Sequence, residues 1–365
     1  MRLKSADRTL TVIAALLVTA GILIFFSASL SLLPKGSGAL AGAIVSQVVL
    51  GLGGGLAALT LAYITPLAYY RRYAHYVFGF ALVLTVAVFL PVIGVSANGA
   101  SRWLNLGVTT FQPSELLKVG YILLIAAILA GGKNRGADLM YGIAPFVGIT
   151  ATVSLILLLQ PDTDTLAIMI AAGAAMMLSA GTRLREILIF IVVGACLFAL
   201  LVFMRPYLWE RVETFLHPNR DQSGSGYHIK QSLLAVGSGD VWGRGFGQSV
   251  QKFAYLPEAS SDSIFAVYAE EFGFVGSVLL VLGFLSFVLR SLWVAARSQD
   301  YFGGLVVVGI ATLIGVQAFL NIAAMIGLVP VGGLPLPFVS DGGSALLIAL
   351  GMVGIVLNVS RTVRV

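Results

Sequence analysis

Ten apolar stretches, separated by short polar or glycine- and proline-rich intervals, order this chain from end to end. They fall near 9–33, 40–65, 76–96, 114–131, 140–159, 164–181, 186–204, 263–289, 302–325 and 343–360. A hydrocarbon core of about 30 Å needs roughly 20 apolar residues in a helix. Within lipid, a helix also satisfies its own backbone groups. The pattern predicts an all-α integral membrane protein, a bundle of about ten transmembrane helices forming one polytopic domain over residues 1–365. Only Gln160-Pro161-Asp162-Thr163-Asp164 separates the fifth and sixth runs. Between the seventh and eighth lies a long, amphipathic, glycine-rich interval, about 205–262, predicted as a large extracytoplasmic loop. The first run is too long for a signal-peptide core and lacks a convincing cleavage site, so it reads as a retained helix.

Composition sharpens the class. Of 365 residues, 58% are hydrophobic and 10% charged, against roughly 25% charged in soluble chains, and the mean hydropathy is +0.98. A net charge of +6 would raise nucleic acid as a partner in a soluble protein. Here the bases cluster between apolar runs, the arrangement that orients membrane proteins, so no nucleic-acid partner is expected. One set holds Arg2, Lys4, Arg8, Arg71, Arg72, Lys133, Arg135, Arg183, Arg185, Arg290, Arg297, Arg361 and Arg364, while the short intervals opposite hold only Lys35 and Arg102. Both termini are therefore expected in the cytoplasm. Cys196, the single cysteine, cannot form an internal disulfide and reads as a small core residue. His75, His217 and His228 have no metal-site spacing.

The acids map the opposite way. Of sixteen, only Asp7, Asp138, Glu186 and Asp300 fall on the cytoplasmic side. Glu115, Asp162, Asp164, Glu210, Glu213, Asp221, Asp240, Glu258, Asp262, Glu270, Glu271 and Asp341 lie at or near the outer face. An acid inside a span costs about 2.5–3.5 kcal/mol on insertion scales, so an outward-facing polar cavity is expected.

Several segments could carry its chemistry. Pro113-Ser114-Glu115 suits a helix start, and Lys118 follows Glu115 at i+3. The pair either neutralises charge for insertion or lines a cavity. Asp162 and Asp164 could hold a cation or cap a turn. The run Gly243-Arg244-Gly245-Phe246-Gly247 superficially resembles a phosphate loop but lacks the strand-and-helix context and is discarded. Ser261 and Asp262, at the mouth of a span, could act as caps or carry function, but capping does not account for Glu270 and Glu271, which lie two turns deeper. From Gly327 to Ser344, three prolines interrupt apolar sequence at membrane depth, where non-helical backbone must be buried in protein or line a cavity.

As an ordered set these segments resemble the SEDS family of peptidoglycan polymerases, which includes the RodA and FtsW proteins. The resemblance rests on Asn98-Gly99-Ala100-Ser101-Arg102-Trp103-Leu104, Gln112-Pro113-Ser114-Glu115 with Lys118, Gln160-Pro161-Asp162, and Gly226-Tyr227-His228 with Gln231-Ser232. It rests further on Leu256-Pro257-Glu258 with Asp262, Ile264-Phe265-Ala266, Glu270-Glu271, and the segment ending Gly342-Gly343-Ser344. The spacing from Lys252 to Tyr255-Leu256-Pro257-Glu258 is closer to the FtsW type. The sequence departs from the family pattern at Asp164 (usually Gly), Asp341 (commonly aromatic), Ser260 (commonly His) and Ser263 (commonly Phe).

The resemblance implies a glycosyltransferase of division or elongation that polymerises lipid II at the outer face of the bacterial cytoplasmic membrane. It would release polyprenyl diphosphate and work with a class B penicillin-binding protein. Asp262 would be the essential catalytic carboxylate of the fourth outer loop, with Glu115, Lys118, Arg102 and Asp162 in or near the cavity. Glu258, Glu270, Ser340 and Ser344 complete the candidate set. No organic cofactor is expected, whereas a divalent cation, Mg2+ or Mn2+, on Asp262, Asp162 and Asp164 stays open. The competing class is a flippase or transporter for a lipid-linked precursor, which also uses intramembrane acids and broken helices. A flippase needs polar groups along its whole path, whereas these acids crowd the outer half.

Overall fold

A computed structural model describes residues 5–97, 100–105, 107, 110–132, 136, 138–217 and 224–363. Arg2, Lys4, Asn98, Gly99, Lys133, Arg135, Asp221 and Arg364, all used above, lie outside the described residues.

The chain is mostly helical. It opens with α1 (Arg8–Ser29), capped by Asp7, whose carboxylate accepts from the Leu10 amide. Next come α2 (Ser37–Val45), a π-helical stretch (Ser46–Gly54), α3 (Gly55–Ile64) and α4 (Leu67–Ala87). A small antiparallel sheet follows, β1 (Gly94–Ala97), β2 (Ala100–Asn105) and β3 (Thr110–Phe111), in that order. Then come α5 (Pro113–Leu129), α6 (Ala144–Leu159), α7 (Thr163–Ser179), α8 (Leu184–Met204), α9 (Pro206–Leu216), α10 (Ser225–Ser238) and α11 (Gln251–Ala254). The chain closes with α12 (Ile264–Arg297), α13 (Tyr301–Met325) and α14 (Gly343–Ser360).

Among the described residues, seven helices are long and apolar enough to cross a membrane. The other three apolar runs form helices of a different character. α4 carries Arg71, Arg72 and His75, α5 holds Glu115 and Lys118, and α7 has 17 residues. The run 76–96 is displaced: Pro66 opens α4 well before it, and Pro91 falls in the turn that follows, where a helix could not continue. The end of that run and the interval after it carry the three strands of the sheet, and the 205–262 interval contains α9, α10 and α11.

α13 is apolar all round and buried along most of its length, as expected of a central helix. It packs against α5, α7, α12 and α14, while α3 lies along α14 and α4 along α5. At the last of these contacts Gly120 is required, because a Cβ there would sit 2.9 Å from Phe78 Cα. α8 is almost wholly exposed, and Cys196 belongs to that exposed surface rather than to a core.

One helix is broken. Within α12, Gly273 adopts φ 65°, a left-handed conformation that glycine takes without penalty. The backbone groups released by the break are recovered by residues 240–245. Arg244 and Gly245 amides donate to the Glu270 and Glu271 carbonyls (both 3.0 Å), while Phe274 and Val275 amides donate to Asp240 and Val241 carbonyls (2.9 and 3.1 Å). The glycine-rich run that superficially resembled a phosphate loop is thus a splint across a helix break.

Candidate active site

α5, α7, α12 and α14 begin at one end of the bundle, around a cavity of about 950 Å3. Glu115 enters its wall from the first turn of α5, Asp162 and Thr165 from the start of α7, Asp262 from just before α12, and Ser344 from α14. β2 lays Arg102 and Trp103 over it, α9 adds Arg211, α10 adds His228, and the 331–345 segment closes it with Asp341. The N-terminal, positive dipole ends of four helices therefore border the space, together with two guanidinium groups. Such a field suits an anionic group set among carboxylates.

Asp262 is half-buried in this wall. Burial and the neighbouring Glu258 carboxylate push its pKa up to about 6, against the opposing pull of Arg102. It is not a helix cap. The N-cap of α12 is Ser263, and the Ser263 hydroxyl donates to the Pro257 carbonyl (2.7 Å) and meets His228 Nε2 (2.5 Å). The Asp262 carbonyl accepts from Asn321 Nδ2 (2.8 Å), which also donates to the Leu334 carbonyl (2.6 Å). Glu258 holds φ 47°, a conformation costly for a non-glycine residue, by roughly 1–3 kcal/mol, and one that clusters at functional sites.

Arg102 is anchored by the carbonyls of Gln160 and Pro161 in the α6–α7 turn. Asp162 caps α7 through Oδ1, at 3.4 Å from the Thr165 amide, while its buried Oδ2 has no hydrogen-bond partner among the described residues. Glu115 and Lys118 form a buried ion pair of 2.7 Å. Glu115 lines the cavity, whereas Lys118 stands behind it and donates to Gln317 Oε1 (3.1 Å), whose Nε2 reaches the Pro335 carbonyl (2.9 Å). Asp341 lines the cavity near Glu258, and burial with that charge raises its pKa to about 6.

Other candidate residues fall elsewhere. Glu270 is buried in the splint rather than the cavity, accepting from Ser249 Oγ (2.6 Å) and the Val250 amide (3.0 Å). Glu271 pairs with buried Lys252 at 2.7 Å, and Lys252 also reaches Ser27 Oγ (2.9 Å). These acids pin the outer loop to α1 and α12, so their depth reflects a packed ionic network. Ser340 acts through the backbone, donating to the Ser261 carbonyl (2.6 Å) and accepting from the Leu336 amide (2.7 Å). Asp164 is not in the lining of the polar cavity and pairs with Arg211, which is, at 3.2 Å. The two border a second, mostly apolar cleft of about 310 Å3, which Asp262 also reaches.

Asp162, Asp164 and Asp262 do not come together as a three-carboxylate cluster. Among the described residues no three His, Cys, Asp or Glu side chains gather as a ligand set, and Asp164 is occupied by Arg211. The described residues thus offer no all-protein cage, while an ion held by one or two carboxylates and substrate phosphate would be a different arrangement. Sequence reasoning missed Arg211 and Gln47. Arg211 sits in an amphipathic loop segment without a distinctive motif, whereas a glutamine inside an apolar run was a readable signal.

A family model described as a cell cycle protein, covering FtsW, RodA and SpoVE, matches residues 7–365. Stage V sporulation protein E of Bacillus subtilis (strain 168) is 36% identical over 363 residues, covering 99% of this chain and 98% of its own. A probable peptidoglycan glycosyltransferase FtsW from Geobacter sp. (strain M18) is 40% identical over 295 residues, covering 81% and 80%. Among solved structures, a chain of a peptidoglycan synthase complex, described for its structural coordination of polymerization and crosslinking, superposes with a TM-score of 0.80 at 28% identity, covering 98% of both chains. The rod shape determining protein RodA of Thermus thermophilus superposes at 0.70, also 28% identical, covering 98% of this chain and 97% of its own.

Proposed function

Because this chain belongs to the FtsW, RodA and SpoVE family of cell cycle proteins, we propose that it is a multi-pass membrane glycosyltransferase that polymerises lipid II into glycan strands. The observation that carries this reading is the placement of Asp262 where the polar cavity, with Arg102 and Arg211 in its wall, meets the apolar cleft. A substrate with a sugar head, a diphosphate and a polyprenyl tail needs those three environments in contact.

In this reading Asp262 accepts the proton of the acceptor hydroxyl as its oxygen attacks the anomeric carbon of the donor. The bond from that carbon to the diphosphate oxygen breaks, and the diphosphate leaves with the electron pair. General-base help of this kind is worth about 10²–10⁴-fold. Arg102, Arg211 and the helix N-termini offset the charge growing on the leaving group. Diphosphate is already a good leaving group, so no dedicated acid is required, and no step is assigned to a metal. Glu115 and Lys118 shape the inner wall, and Asp162 Oδ2 offers an acceptor for a substrate hydroxyl or amide.

We read α4, α5 and α7 as further spans beside the seven strongly apolar ones, giving ten with α2, the π-helical stretch and α3 counted as one. The Lys and Arg bias then puts both termini in the cytoplasm and the cavity at the outer face, and a class B penicillin-binding protein is the expected partner. The test is purified protein, alone and with such a partner, supplied with labelled lipid II. Glycan ladders are expected. Transfer of lipid across sealed vesicles without any glycan would favour the flippase instead.

A further inference from the structure

Gln47 lies within the second apolar run and is fully buried. It sits on the π-helical stretch Ser46–Gly54, a local widening of the helix that recurs at functional sites. Its carboxamide works like an inserted peptide group. Nε2 donates to the Ser340 carbonyl and Oε1 accepts from the Gly342 amide, both at 3.1 Å. Those are the two backbone groups flanking Asp341. The Asp341 amide itself donates to the Ser260 carbonyl (2.8 Å), and Ser340 Oγ donates to the Ser261 carbonyl (2.6 Å). Asn321 then holds the Asp262 carbonyl from the other side. Two irregular segments, 340–342 and 260–262, are thereby tied together, and each presents a carboxylate to the cavity.

We propose that Gln47 is a positioning residue of the active cavity, its carboxamide locking residues 340–342 against 260–262 and so fixing where the Asp262 carboxylate stands. Backbone bonds join the two segments through the Asp341 amide and the Ser260 carbonyl, and hold each locally, from the Ser340 amide to the Leu336 carbonyl and from the Ser261 amide to the Glu258 carbonyl. Gln47 braces that backbone link from both sides of Asp341, and without it the Ser340 carbonyl and Gly342 amide lose their side-chain partner. The role matters because a reacting group displaced by about 1 Å can lose on the order of 10²-fold in rate.

The molecule contains its own control. Asn358, on α14, makes an equivalent clamp, with Nδ2 donating to the carbonyls of Ala62 (2.9 Å) and Thr65 (2.5 Å). It is likewise buried, but near the C-terminal end of α14, whereas the cavity lies at the N-terminal end. Gln47→Ala and Asn358→Ala remove the same kind of bonded carboxamide at opposite ends of one helix pair. Gln47→Glu keeps the length and the acceptor but loses the donor, and serves if the alanine variant does not fold.

The inference rests on the proposed polymerase reading, so the test has an arm independent of activity. In hydrogen exchange on the full-length purified protein, Gln47→Ala is expected to speed exchange at the Asp341 amide and across 260–263, while Asn358→Ala leaves these amides unchanged. In the lipid II assay, Gln47→Ala is expected to lower kcat by about 10- to 100-fold with KM little changed, and Asn358→Ala to keep the wild-type kcat per folded molecule. Unchanged exchange at Asp341 and 260–263 in Gln47→Ala, or the same loss of kcat in both variants, would overturn the proposal. A wild-type protein that makes no glycan would instead sink the polymerase reading, leaving the exchange result to judge the clamp.

Discussion

A carboxylate that serves as a base has to be ionised, yet a weakly basic one removes protons poorly. Asp262, raised to about 6 by burial and by Glu258, is ionised at neutral pH and more basic than an exposed aspartate. Polymerisation should therefore fall as pH drops through 6, as a pH–rate profile on lipid II would reveal. Thermal stability should move the other way. Asp262 and Asp341 are both raised to about 6, so the folded state binds protons more tightly than the unfolded chain. Protonation between pH 7 and 5 then relieves the buried charge and stabilises the fold. Asp7, held below its usual range by Arg290 despite burial, acts oppositely but only at lower pH. Asp262→Asn keeps the shape and removes the base, so glycan synthesis should fall by at least about 10²-fold while thermal unfolding in detergent shows an intact fold. The Glu115–Lys118 pair separates stability from activity. Glu115→Ala leaves Lys118 without its carboxylate, bonded to Gln317, and should cost several kcal/mol, about 3–5 for a buried pair broken on one side. Replacing both by Leu and Met should restore the melting temperature, since an apolar pair of similar volume is often neutral, but activity should stay low if Glu115 shapes the cavity.

A helix break at membrane depth is tolerated only where other protein groups satisfy the freed backbone. Residues 240–245 do this for α12, and the Lys252–Glu271 pair with Ser27 locks the splint to α1. The break stands about three turns beyond Asp262, and these bonds tie the long outer loop to the helix that follows the site. Gly273→Ala should damage this element specifically. Its φ of 65° is unfavourable for alanine, and the added Cβ would press on Val241 C, 2.7 Å away. A lowered melting temperature and faster proteolysis within 239–254 are expected. A variant as stable as the parent would show that the splint contributes little.

For the whole molecule, the orientation decides whether the cavity can meet a lipid-linked substrate outside the cell. Reporters fused after Arg72, Arg185 and Arg297 should read cytoplasm, and one inserted near Trp242 should read the outer side. A cytoplasmic signal near Trp242 would reverse the topology and remove the outer site. The nearly unpacked α8 contributes Phe198 to the apolar cleft that Asp262 and Arg211 also line, and in the proposed polymerase reading this cleft is the route for a polyprenyl chain.

Much of this architecture is legible along the chain because lipid imposes a local rule: a run of about 20 apolar residues must be helical wherever it lies. The same rule made Glu115, Asp162 and Asp262 conspicuous, since charge at such depth demands a reason. Pairing at i+3 was likewise local, and Glu115 with Lys118 followed from it. What the sequence could not fix was which acids face a cavity and which face protein. Glu270 and Asp262 look alike as acids near one span, but the break at Gly273 turns the first into a packed loop and leaves the second on the cavity wall. Arg211, Gln47 and Asn321 meet the site across 47, 293 and 59 residues of sequence in their bonds to Asp164, Ser340 and Asp262. No periodicity carries such separations. They exist only once α7, α9, α13 and the π-helical stretch have packed, because long-range hydrogen-bond geometry is set by the relative placement of helices and not by the order of residues within them.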